Sequence, residues 1–132
     1  MAGGKKEIPR KILIADDEAN IVTLVTALLT RDDFNIDTAA NSTDVMEKAS
    51  EGDYDIILTD LMMGGSDKYT GLGLIKELKD VISPKPIVIM SGAATVTDLI
   101  EAADIGVYDI VLKPFKPERL ASSLRAAITE IE

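Results

Sequence analysis

A chain of 132 residues with 23 acidic and 14 basic side chains carries a formal charge of −9, which opposes direct binding to nucleic acid or to an anionic membrane. It has neither cysteine nor histidine, which excludes disulfides, thiolate metal sites, thiol nucleophiles and the usual general base, and leaves carboxylates, lysine and hydroxyls as the available chemistry. The apolar runs are too short to span a bilayer, the length suits one domain with no room for a second, and the lack of cysteine points to the cytoplasm.

Residues 1–10 combine charges and glycines without an apolar core, and read as a loose leader rather than a secretory signal. The compact unit is expected over 11–132. Lys11 to Ala15 is a short apolar run that predicts a strand, and Ile21, Leu24, Val25 and Leu28 then recur at helical spacing. Phe34, Ile36 and Thr38 alternate with Asn35 and Asp37 as in a half-buried strand. Asn41 to Asp44 offers several caps for a helix carrying Val45, Met46 and Ala49. Asp55 to Thr59 predicts a buried strand. After a Gly/Ser/Lys loop, Leu72, Ile75, Leu78 and Ile82 mark an amphipathic helix. Ile87 to Met90 predicts the fourth strand, followed by a helix with Val96, Leu99, Ile100 and Ala103 on its apolar face. Val107 to Leu112 predicts the fifth strand, and Pro117 opens a last helix with Leu120, Leu124, Ile128 and Ile131 on one side.

Five alternations of strand and helix predict an α/β fold, a five-stranded parallel sheet covered by helices on both faces and joined by right-handed crossovers. The flavodoxin-like order 2-1-3-4-5 fits best. It puts the alternating second strand at an edge and the continuous apolar first, third and fourth strands inside.

In that fold Asp16 and Asp17 follow the first strand, Asp60 ends the third, Ser91 ends the fourth and Lys113 ends the fifth. All five fall at carboxyl ends, on the rim where open α/β sheets bind ligands. Singly, each has an ordinary explanation as a helix cap, a turn residue or a solvated charge, and only their joint placement argues for a site. Three carboxylates brought together repel one another unless a cation neutralises them, and with oxygen ligands alone magnesium suits the site. Phosphoryl transfer onto Asp60 is the chemistry that such a set supports, since it needs a nucleophile, charge neutralisation and positioning.

The runs Ile-Leu-Ile-Ala-Asp16-Asp17-Glu18, Asp55-Ile-Ile-Leu-Thr-Asp60-Leu-Met-Met63, Ile-Val-Ile-Met-Ser91-Gly92 and Lys113-Pro114-Phe115 resemble the receiver domains of two-component response regulators, from about Lys11 to Ile131. The resemblance implies that Asp16 and Asp17 hold Mg2+ together with Asp60 and the backbone carbonyl of Met62. It implies that Asp60 accepts a phosphoryl group from a histidine kinase or phosphotransfer protein, that Ser91 binds that group and that Lys113 pairs with it. It further implies a cis Lys113–Pro114 bond, an output partner or output domain, and a phosphorylation-dependent homodimer as one possible output.

Three features depart from the family pattern. Gly64 stands where proline is usual, in a loop lengthened by Gly65 to Thr70. Ile110 occupies the place of the aromatic switch residue, with Tyr108 two positions earlier. Ser123 and Glu130 replace arginines of the winged-helix regulators, which argues against their charged dimer interface. An alternative reading, a Mg2+-dependent phosphohydrolase on a related scaffold, would want an acid two residues after the nucleophile, where this chain has Met62. A flavin module would want a glycine-rich loop after the first strand, and none is present.

Overall fold

The computed structural model describes residues 10–31, 34–63 and 71–131. Within them the order is β1 (Lys11–Ala15), α1 (Ala19–Thr30), β2 (Asn35–Ala39), α2 (Ser42–Glu51), β3 (Ile56–Asp60), α3 (Gly71–Ile82), β4 (Ile87–Ser91), α4 (Val96–Ile105), β5 (Asp109–Leu112) and α5 (Pro117–Ile131). The strands form one parallel sheet in the order β2-β1-β3-β4-β5, with Ile14 beside Leu58, Thr59 beside Ile89 and Ser91 beside Leu112. The expected leader and the Gly64 to Thr70 loop lie largely outside the described residues.

Period-two alternation sends successive strand residues to opposite faces, and both faces here are apolar. Leu13, Ile57, Ile87 and Ile89 pack with Val45, Leu74, Ile75 and Leu78 of α2 and α3. Ile12, Ile14, Ile56, Leu58, Val88 and Val111 pack on the other face with Val25, Leu29, Leu120 and Leu124 of α1 and α5. Each fully buried aliphatic side chain contributes about 1.5–3 kcal/mol to this two-sided core. That stability holds the strand ends in place, and the strand ends carry the polar residues.

Local chemistry marks the helix limits. The side chain of Asn41 accepts the Asp44 backbone N–H at 2.8 Å to open α2. Thr95 and Asp98 form a reciprocal capping box at the start of α4. That helix stops at Gly106, whose φ of 97° is a conformation that glycine adopts without a Cβ clash.

Several expected faces are rotated or shifted. In α1, Leu29 is fully buried and Leu24 is exposed; in β2, Thr38 is exposed and Ala39 is buried. In α4, Ala102 is the buried residue, whereas Val96, Ile100 and Ala103 face solvent, because this helix packs mainly against α3 and covers the sheet incompletely. β5 starts at Asp109, not Val107, although the Tyr108 N–H already donates to the Ile87 carbonyl at 2.8 Å. β3 starts at Ile56 rather than Asp55, and β3 and β4 end on Asp60 and Ser91, the residues expected to end them.

Candidate phosphoacceptor site

The sheet's own hydrogen bonds set the rim. Asp16, immediately after β1, donates its backbone N–H to the Ala39 carbonyl at 3.1 Å. Leu61 donates to Met90 at 3.1 Å, and Lys113 donates to Ser91 at 2.8 Å. Backbone groups tied this way fix where the adjoining side chains begin, so the site rests on rigid strand ends rather than on free loops.

Asp16, Asp17 and Asp60 present carboxylate oxygens that all lie within 4.8 Å of one another. Asp16 and Asp60 are buried and Asp17 is exposed. The ammonium of Lys113 reaches into this cluster, 2.7 Å from Asp16 Oδ2 and 3.4 Å from both Asp60 Oδ2 and Glu18 Oε1. The other oxygen of Asp16 accepts the Glu18 backbone N–H at 2.9 Å, and Asp60 Oδ1 accepts the Met62 N–H at 3.3 Å. The Lys113–Pro114 peptide bond is cis.

A cavity of about 200 Å³ opens above these groups, lined by Asp17, Glu18, Asp60, Met62, Ser91, Gly92, Ala93 and Lys113. Asp16 stands behind the lining, occupied by Lys113. A larger groove of about 630 Å³ lies between α3 and α4, but Lys76, Lys79, Asp80, Glu101 and Asp104 there are surface charges of both signs with no convergent chemistry. Size therefore does not locate the site; the convergence of charge does.

Burial pushes the Asp60 carboxyl above its ordinary range, and the charge of Asp16 adds to the rise. The Met62 N–H and the Lys113 ammonium oppose it. Burial alone would lower Lys113, but its hydrogen bond to Asp16 and the charges of Asp60 and Asp16 outweigh that and raise it, so the ammonium is held charged. Ser91 is fully buried, and its Oγ accepts the Ala93 N–H at 3.2 Å.

All the residues expected at the rim are thus brought to it. Glu18 joins them at 3.4 Å from Lys113, a member that the sequence alone does not single out. Its signal was the third consecutive acid after β1, which could equally have been a helix cap. In fact Glu18 is the N-cap residue of α1 but makes no side-chain cap, and reaches Lys113 instead. Ser123, expected only as a departure from an arginine pattern, is buried and donates its hydroxyl to Asp109 Oδ2 at 2.7 Å, beside a two-pronged contact from Arg119 to the same carboxylate. The side chain of Glu130 lies outside the described residues.

The family model of the response regulator receiver domain matches residues 12–125. The chain belongs to that family. A putative response regulator, NtrX-like, of Rickettsia bellii is 33% identical over 116 residues, which are 88% of this chain and 24% of that protein. The transcriptional regulatory protein ResD of Bacillus subtilis is 33% identical over 118 residues, 89% of this chain and 48% of the relative. The receiver therefore spans about a quarter to a half of the length of these curated relatives. In fold, it superposes with a TM-score of 0.87 on a CheY-like response regulator receiver domain protein from Methanospirillum hungatei JF-1, at 18% identity and over 93% of this chain and 96% of that one. Receivers are signalling domains of two-component systems, and phosphorylation-dependent switching is general among them. Among the described residues no helix is long and apolar enough to cross a membrane.

Proposed function

We propose that residues 11–132 form a cytoplasmic phosphorylation switch in which Asp60 takes a phosphoryl group from a sensor histidine kinase or a phosphotransfer protein and thereby alters the surface offered to an output partner or output domain. The observation that carries this reading is the setting of Asp60: a buried carboxylate at a strand end, facing a cavity, beside the carboxylates of Asp16 and Asp17 and the Lys113 ammonium.

One carboxylate oxygen of Asp60 forms the new bond to phosphorus as the bond from phosphorus to the donor ring nitrogen breaks; that nitrogen takes the electron pair, and the imidazole leaves neutral with a proton on its other nitrogen. Lys113, held charged by its partners, neutralises an oxygen of the arriving group. The Ser91 hydroxyl, facing the same cavity, can donate to another. The all-oxygen donor set of Asp16, Asp17 and Asp60 fits Mg2+, with the Met62 backbone carbonyl as a further ligand. When bound, magnesium would offset the negative charge shared between these carboxylates and the phosphoryl oxygens.

The test is labelling with a small phosphodonor in the presence of Mg2+. Intact-mass measurement should show one acid-labile phosphoryl group, and Asp60→Asn should take none while its circular dichroism stays native. Full labelling of the Asn variant would overturn the assignment.

A further inference from the structure

The chain has five methionines and no cysteine, so every oxidisable sulfur is a thioether. Among the described residues four of them appear, and three are shut away: Met46 and Met63 are each 8% exposed and Met90 is wholly buried. Met62 is 63% exposed. The contrast follows from the chain's path after β3. Leu61 and Met63 both turn into the core beneath α2 and α3, and the residue between them is turned outward. That outward turn places Met62 on the wall of the phosphoacceptor cavity, with its backbone N–H on Asp60 Oδ1 at 3.3 Å.

We infer that Met62 is a redox-modification site whose oxidation by a peroxide shortens the life of the phosphorylated state. The chemistry is a two-electron transfer of oxygen. A sulfur lone pair attacks one peroxide oxygen, the O–O bond breaks, the sulfur becomes a sulfoxide and the other oxygen leaves as water after taking up the proton. A dithiol-dependent sulfoxide reductase reverses it, since methionine sulfoxide is reducible. Solvent access decides which thioether reacts, and the three buried sulfurs are protected by the packing that makes the core.

The consequence comes from what changes at the cavity wall. As a thioether, Met62 is a weak acceptor and cannot orient a water by hydrogen bonding; Ala93, which also lines the cavity, cannot either. As a sulfoxide, the same side chain carries a strongly polar S=O oxygen. A water that donates a hydrogen bond to that oxygen keeps a lone pair free to attack phosphorus. The new O–P bond forms as the bond from phosphorus to the Asp60 oxygen breaks, the carboxylate is regenerated, and inorganic phosphate leaves carrying the water's oxygen and protons. An oxidant would thereby reset the switch without any change in the kinase.

This inference rests on Asp60 as phosphoacceptor, and its test separates the two. The full chain is treated with dilute hydrogen peroxide in its native state, and peptide mass mapping follows each methionine. Met62 should gain oxygen well ahead of Met46, Met63 and Met90, and unfolding in urea should erase the order. Equal rates in the native protein would overturn the inference. The oxidised and untreated chains are then labelled with a small phosphodonor and Mg2+, and the loss of label is timed. The oxidised form should lose it severalfold faster, sulfoxide reductase should restore the slower rate, and Met62→Leu should show the same decay before and after peroxide. An unchanged lifetime in fully oxidised protein, or an equal acceleration in Met62→Leu, would also overturn it. If the untreated chain takes no label at Asp60, the phosphoacceptor reading fails, while selective oxidation of Met62 is still measured by the mapping.

Discussion

Lys113 Nζ stands 2.7 Å from Oδ2 of Asp16, a residue 97 positions earlier in the chain, and both side chains are largely withdrawn from solvent. The contact joins the first and last strands' rims across β3 and β4. It also gives a cluster of three aspartates a close cation, so the pair neutralises charge that the fold has forced together.

Replacing Lys113 by methionine should therefore destabilise the chain. A buried pair that loses one partner costs about 3–5 kcal/mol, and the open cavity beside this one reduces that to about 2 kcal/mol. Magnesium should recover part of the loss by taking over the neutralising role. Urea unfolding with and without Mg2+ measures both; a variant as stable as the parent in chelator would show that Lys113 is not what balances the carboxylates.

Asp60→Asn should have the opposite sign. Burial holds the Asp60 carboxyl above its ordinary range, so its ionised form is less favourable folded than unfolded. The stability linked to this group is present in acid, below the unfolded value, and lost as pH rises through the folded one. At neutral pH without divalent cation the Asn variant should melt higher than the parent, and the gap should close in acid. A lower melting temperature at neutral pH would contradict this.

The parallel fold was legible because Ile56-Ile57-Leu58 and Ile87-Val88-Ile89-Met90 are short and apolar at every position, as a strand buried on both faces requires. The rim residues were legible because each follows or ends such a run. Helix phase was harder. Spacing in α1 marks a stripe, but Leu24 and Leu28 or Val25 and Leu29 satisfy it equally, and only contact with β1 and α5 selects the buried set. In α4 the apolar Val96 and Ile100 suggested an inner face that the packing on α3 leaves outside. Nor does sequence tell which of two adjacent aspartates pairs with lysine. Asp16 does, and Asp17 lines the cavity.

The Asp109 contact to α5 should make stability pH-dependent in the conventional acid sense. Burial would raise this carboxyl, but hydrogen bonds from Arg119 and Ser123 outweigh it and hold it below its ordinary range. A depressed folded value stabilises above the unfolded one and is lost as pH falls through the folded one. Arg119→Ala should thus cost about 1 kcal/mol near neutrality, since half-exposed pairs are screened by solvent and only the bidentate geometry lifts this one. The difference from the parent should vanish in acid. A cost that is constant with pH would mean that packing, not charge, was lost.

Met62→Asn should speed loss of phosphate from Asp60. The amide supplies both donor and acceptor at a wall where Met62 and Ala93 now offer no strong side-chain hydrogen bond to a water. Timed decay after removal of phosphodonor reads the rate. An equal or slower decay would show that the cavity wall does not limit attack by water.

Tyr108 should not stand in for the aromatic that the family places at Ile110. It precedes β5, is partly exposed, and is fixed to the sheet through its backbone N–H to Ile87, a bond that survives loss of the ring. Ile110, two residues nearer the rim and within β5, is the one that packs against the core beneath α3. The Tyr108 side chain starts roughly 6–7 Å further from the rim, too far back to fill space beside Ser91. Any signal from Asp60 should then travel through the backbone after Ser91, whose hydroxyl holds the Ala93 N–H, and into α4. Backbone chemical shifts for residues 92–103 should therefore change on treatment with phosphodonor and Mg2+ to the same extent in Tyr108→Ala as in the parent, with a stability cost under about 1 kcal/mol for an exposed side chain. Ser91→Ala should suppress most of the change, although Asp60 still takes label. Shifts in 92–103 that disappear in Tyr108→Ala while Asp60 remains labelled would make the ring part of the signal path after all.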